Sequence, residues 1–266
     1  MRALDQRVPA RHSSPMTSST RRLFKFSITT GLLLAGVAFS AAVPAKEARK
    51  NPPSENVEQV FQQRNARTLA ILDADFPRDH EALMASARAL RHADMTLEQK
   101  LERLFAQLSE TRKRYAERLR FAPIPQHRLM MAVLGAFMTE VDRVAGSEVC
   151  AAFAQDGTGA LFQKGVAAQF SVAIDVQSAA YFTAVVAAIE NPEVHAPVLE
   201  ADWTAVFAQM AREGHPLSYV ESIAGGSPDD PALCAALSAM FRSAAVMPGE
   251  PGQRFRADFA PKLAGY

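Results

Sequence analysis

Cysteine is nearly absent: the 266 residues contain two, Cys150 and Cys234. They form no Cys-x-x-Cys motif, so a dithiol redox centre is excluded. Histidine is sparse as well, six in all. No His-x-x-x-His pair occurs, and the familiar helical zinc motif is missing. There is no Gly-x-Ser-x-Gly elbow to present a nucleophile. Gly157, Gly159 and Gly165 fit neither the Walker nor the dinucleotide spacing, and no strand precedes them; they read as helix ends. No stretch alternates apolar and polar residues between hairpin turns, and no repeat recurs at a fixed period. These absences leave an all-α protein with no cofactor implied, one that reads as non-catalytic rather than enzymatic.

What is present begins with "TRRLFKFSITTGLLLAGVAFSAAVPAKEA", Thr20 to Ala48. Arg21, Arg22 and Lys25 precede an uncharged run from about Phe26 to Ala42. Val43-Pro44-Ala45 then supplies small residues at the minus-three and minus-one places of a cleavage site. That layout predicts a secretory signal peptide over residues 1–45. The apolar run is near the lower limit for a bilayer span, which takes about 20 residues. Thr20-Arg21-Arg22-Leu23-Phe24 resembles the twin-arginine export signal, with Lys25 and Phe26 where that signal has Leu and Lys. Arginine pairs also occur in ordinary Sec signals, so both routes stay open. Met16 opens a neater signal than Met1. No Cys lies near the cleavage site to carry a lipid anchor.

Residues 1–45 hold six of the 29 Lys and Arg and one of the 28 Asp and Glu. The remainder has 23 basic and 27 acidic side chains, a net charge near −4. An acidic balance argues against nucleic acid as a partner. In an oxidising compartment two thiols pair in one way, so a Cys150–Cys234 disulfide is expected.

Residues 46–53 read as a flexible leader ending in Pro-Pro. A single helical domain is predicted over 54–246, with amphipathic helices to 121 and a more apolar bundle from 122. The first helix starts at Ser54 or Asn56 and carries Val57, Phe61, Leu69 and Leu72 to a break at Pro77; Asp79 caps the next. Thr96 and Gln99 form a capping-box pattern ahead of Leu101, Leu104, Leu108 and Tyr115. The basic run 112–120 reads as a solvated face near a helix C-terminus, with an anion-binding patch as the alternative. "FAPIPQH" reads as a stiff connector. Val166 to Ile189 has one charge in 24 residues, Asp175. Its scattered polar side chains favour a buried central helix over a membrane span, so no stable span is expected once the signal is removed. Asp202 is expected to cap a helix, Ser227 or Asp229 to start the last one, and residues 247–266 to form a polar tail.

Candidate sites are few. Glu190, Glu193 and His195 are the best local metal cluster, followed by Asp73, Asp75, Asp79 and His80; acidic loops of this kind are usually solvated caps. "YVESIAGG", Tyr219 to Gly226, places Glu221 before Ser222 on a short helix and resembles the catalytic Glu-Ser of lytic transglycosylases. That resemblance implies one buried glutamic acid as general acid, although the Gly-Leu-Met-Gln segment of those enzymes is missing. The expectation is an exported envelope or periplasmic helical protein that acts as a non-catalytic protein-binding or structural module, its partner another envelope protein. The alternative is an exported hydrolase with a dispersed site. No signal for an oligomeric state is present.

N-terminal sequencing of protein purified from an envelope fraction should begin at Lys46. An intact leader on that protein would overturn the cleavage site. Replacing Arg21 and Arg22 by Lys should abolish twin-arginine export and leave Sec export intact.

Overall fold

Most of the chain beyond residue 53 has helical periodicity, and helices with one apolar face must bury it against one another. The computed structural model describes residues 56–227 and 230–266; the predicted signal residues Arg21, Arg22 and Ala45 and the predicted leader 46–53 lie outside them. The described residues contain α-helices and short 3₁₀ segments and no strand. The fold is an irregular all-α bundle, with amphipathic N-terminal helices packed on an Ala-rich apolar core.

Asn56 caps α1 (Val57–Arg64), its Oδ1 accepting from the Glu58 N–H at 3.1 Å. The chain then breaks at the buried Asn65 and restarts as α2 (Ala66–Asp75). This corrects the single helix predicted there. Asn65 makes no cap of its own to α2. The cap comes from α8 (Ser171–Glu190), where Asp175 is 3% exposed. Its Oδ1 accepts from the Thr68 N–H and hydroxyl, both at 2.9 Å. Its Oδ2 accepts from the Arg67 N–H at 3.2 Å and guanidinium at 3.3 Å. The lone charge of the apolar stretch is thus the N-cap of a helix about a hundred residues earlier.

α3 (Pro77–Leu90) opens at Pro77, so Asp79 does not cap it as predicted. Asp79 lies in its first turn and takes the Tyr115 hydroxyl at 2.6 Å and the Arg114 guanidinium. The capping box of α4 (Leu97–Tyr115) forms as predicted, with Gln99 N–H to Thr96 Oγ1 at 3.2 Å and Thr96 N–H to Gln99 Oε1 at 3.0 Å. The basic run that follows is not wholly solvated: Arg112 is 3% exposed. It lies one turn beyond Leu108 on the buried stripe. Burial lowers its guanidinium to about 10, with the Tyr181 hydroxyl raising it slightly. A 3₁₀ segment (Ala116–Phe121) leads to α5 (Ile124–Ala145), which starts inside the expected connector because Pro125 fits a first helical turn.

α6 (Ser147–Asp156) and α7 (Thr158–Gln163) follow, then a 3₁₀ turn and α8. By length and composition the helical stretch Ala167–Glu190 could cross a membrane, yet 56% of its apolar window is buried inside the fold. Beyond an extended loop come α9 (Glu200–Arg212), α10 (Ser218–Gly225) and α11 (Leu233–Val246). Asp202 is the third residue of α9, not its cap. It accepts from the Leu199 N–H at 2.8 Å and holds Arg254 in a two-pronged pair at 2.7 and 2.8 Å. Arg254 keeps the Asp202 carboxyl below its ordinary range. Asp230 caps the entry to α11, accepting from the Ala232 N–H at 2.8 Å; Asp229 is outside the described residues.

The polar tail predicted for 247–266 is instead α12 (Gly249–Phe259) and a 3₁₀ segment (Ala260–Gly265). Phe255, Arg256, Ala260 and Leu263 are buried there. Arg256 has no exposure, and its Nη1 donates to the carbonyls of Ala244 at 2.6 Å and Met247 at 2.9 Å, at the C-terminal end of α11. A cation suits those orphan carbonyls and the negative end of the helix dipole. Burial brings its guanidinium down to about 10. Gly252 permits the approach: a Cβ there would stand 2.5 Å from the Met247 oxygen.

Asp175→Ala should destabilise the protein by about 2–3 kcal/mol, because it strips the cap from α2 and leaves the buried Thr68 N–H without its partner. Urea unfolding checks this. A loss below about 0.5 kcal/mol would show that α2 does not depend on the cap.

Candidate functional site

Polar side chains line several concave surfaces among the described residues, and two of them lie where helices cross or a loop docks. The first forms where α5 and α11 cross in antiparallel sense. They approach closely at Gly135, where a Cβ would lie 2.7 Å from Arg242 Cγ and 3.1 Å from the Ser238 carbonyl. Ser238 Oγ donates to the Gly135 carbonyl at 2.9 Å and pairs with Thr139 Oγ1 at 2.7 Å. One turn on, Cys150 and Cys234 form a disulfide with Cα atoms 5.6 Å apart, tying α6 to α11. That spacing is normal for the bond. Closing a loop between residues 84 positions apart stabilises the fold by roughly 4–5 kcal/mol in the chain-entropy model. Both cysteines are fully buried. Above the disulfide lies a cleft of about 190 Å³, walled by Asp142, His215, Tyr219 and Arg242.

The second surface surrounds the extended loop 191–199. Its backbone is held to the 3₁₀ segment by the Glu193 N–H, which donates to the Phe121 carbonyl at 2.9 Å. His195 Nε2 meets the Ala122 carbonyl at 3.0 Å. The His195 ring lies 5.2 Å from that of His127, whose Nε2 meets the Leu119 carbonyl at 2.6 Å. Phe121, Pro197, Val198 and Ala257 wall a cleft of about 180 Å³ with Arg120 and Asp258 at its edge. Apolar side chains stand out from this region: Val194 is 89% exposed, Leu199 54%, Ile189 52% and Phe121 40%. A larger depression of about 540 Å³ lies on the outer face of α4, lined by Asp94, Glu102 and Arg103; it is open surface with no converging groups.

Glu221 is exposed on α10 and lines neither cleft. The buried acid that the transglycosylase resemblance implies is therefore not realised: α10 turns this side chain outward and buries Ser222 instead. The acidic loop also fails to gather a metal site. Glu190 and Glu193 are exposed, while His195 turns inward to a carbonyl. Among the described residues no group of three or more His, Cys, Asp or Glu comes together. Asp73 and His80 do pair, at 3.2 Å, on the surface.

Sequence reasoning missed His127, placed in a connector, and the pairing of Asp202 with Arg254. A signal existed for the first. His127 stands four residues before Met131 and seven before Leu134, on the buried face of α5. Burial is the main cause that brings the His127 imidazole down to about 4; the Leu119 carbonyl opposes the shift, and His195 and Arg256 add to it.

The pH dependence follows from that lowered value. The unfolded chain binds a proton at His127 near pH 6.5, but the folded chain only near 4. Stability from this residue is fully present above pH 6.5 and is lost as pH falls towards 4, by roughly 3 kcal/mol in total. Urea unfolding between pH 4 and 7 should show this slope, and His127→Leu should flatten it. An unchanged slope in that variant would rule out His127 as its source.

Family models, curated proteins and solved structures contain no match to this chain.

Proposed function

We propose that this is an exported helical protein of the cell envelope that acts by binding another protein rather than by catalysis. The observation that carries the reading is the apolar surface around loop 191–199. Single exposed apolar residues are ordinary on any protein. Here Val194, at 89% exposure, follows Glu193, whose N–H bonds the Phe121 carbonyl, and Ile189 and Leu199 flank the same loop. Contiguous apolar surface with a polar rim is what partner binding uses. Arg120, Glu193 and Asp258 supply that rim. The loop is anchored at Glu193 and His195, so little ordering is needed on binding. The buried disulfide supports export, because such bonds persist outside the cytoplasm.

A photo-crosslinking side chain at Val194 should capture one discrete envelope protein. Phe121→Glu should abolish that capture. Leu217→Glu should not, although Leu217 is 74% exposed, because it precedes α10, which packs on α11. Equal loss with both variants, or no discrete product, would defeat the reading.

A further inference from the structure

We infer that the cleft between α5, α10 and α11 is a binding site for a small zwitterion, with Arg242 receiving a carboxylate and Asp142 an ammonium group. The two charges sit in one cleft of about 190 Å³, yet they form no ion pair among the described residues. Neighbouring charges are engaged elsewhere: Arg143 with Glu140 at 2.6 Å, and His215 near Glu213 at 3.8 Å.

The helix register explains why the pair stays open. Arg242 is level with Gly135 on α5, and its stem lies over the bare Cα. Asp142 is two turns further along α5, about 10 Å at 1.5 Å per residue. Side chains lean towards the N-terminus of their own helix. In this antiparallel pair, Arg242 and Asp142 therefore lean towards each other along the groove. The two charged groups make no direct contact, which leaves space in the cleft between them for a bridging molecule.

The rest of the cleft fits such a molecule. The floor is Thr139 and Ser238, whose hydroxyls are satisfied by each other and by the Gly135 carbonyl. They add no competing charge. Tyr219 and His215 stack at 6.1 Å along one wall and offer ring surface to an apolar linker. A lone cation or anion would leave one of the two charges unmatched, whereas a zwitterion satisfies both. Each contact is partly exposed and contributes modestly, so affinity should be on the order of millimolar. This site is separate from the apolar loop surface, and its failure would leave that reading untouched.

Isothermal titration of the full-length chain at low salt tests it, with 6-aminohexanoate and L-alanyl-L-alanine as probes. At least one should bind saturably, and added salt should weaken it. Hexanoate and hexylamine, each lacking one charge, should bind about fivefold more weakly than 6-aminohexanoate or not at all. Arg242→Gln should reduce 6-aminohexanoate to the level of hexylamine, and Asp142→Asn to that of hexanoate. Tighter binding of the dipeptide would assign peptide ends as the ligand; tighter binding of 6-aminohexanoate would assign an ω-amino acid. No saturable binding by either zwitterion would overturn the inference, as would equal binding by hexylamine or unchanged binding in both variants. Both side chains lie at the surface, so melting temperatures close to the parent's are expected and separate lost binding from lost fold.

Discussion

A helix that begins inside a protein leaves its first N–H groups without partners, and each such group must be met or the helix does not start there. At α2 those groups are met by the Asp175 carboxylate of α8. The contact fixes where α2 begins, how it lies on α8, and so how the N-terminal amphipathic helices dock on the apolar core. Asn65, at the break before α2, spends its side-chain amide on the Phe61 carbonyl and caps the end of α1 instead. One carboxylate therefore sets both the kink and the packing of the first third of the fold. It also accounts for a charge in the middle of an otherwise apolar helix. An ionised group is tolerated in such a place when its hydrogen bonds are filled, and Asp175 accepts four.

The C-terminal part solves the opposite problem, orphan carbonyls, with a buried cation. Arg256 closes the end of α11, and Gly252 leaves room for it. Asp202 and Arg254 hold α12 to the start of α9. The last twenty residues are thereby core rather than tail. The disulfide adds a covalent tie between α6 and α11 beside the close crossing of α5 and α11. Rigidity at that crossing is what keeps Arg242 and Asp142 at a fixed separation. The loop 191–199 is positioned more lightly, by one backbone bond and one imidazole, and carries its apolar side chains outward.

Local signals were legible wherever the physics is local. The Thr96–Gln99 capping box, the break at Pro77 and the all-α class depend on residues within a turn or two of one another, and all appear in the structure. The Cys150–Cys234 pairing was equally open to reading, because two thiols have one way to pair. Failures came where a residue's role is set by a distant partner. Arg112 looked like part of a solvated basic face, but its register with Leu104 and Leu108 turns it inward. Residues 247–266 looked polar because Arg254, Arg256 and Asp258 were counted as charges, when two of them are helix-end and interhelix partners.

The candidate sites divide in the same way. Glu221 and the acidic loop were singled out by sequence neighbourhood, and neither assembles a site, since side chains adjacent in sequence on a helix point to different faces. His127 comes beside His195, and Asp142 and Arg242 come to line one cleft, only through helix register and loop docking between segments 68 to 100 residues apart. The sequence alone determined the helical class, some helix ends and the disulfide, because capping, breaking and thiol counting act over short range or by elimination. Only the tertiary structure decided which charges are buried, which polar groups converge and which apolar residues remain exposed, because those depend on the rotation of each helix about its axis in the packed fold.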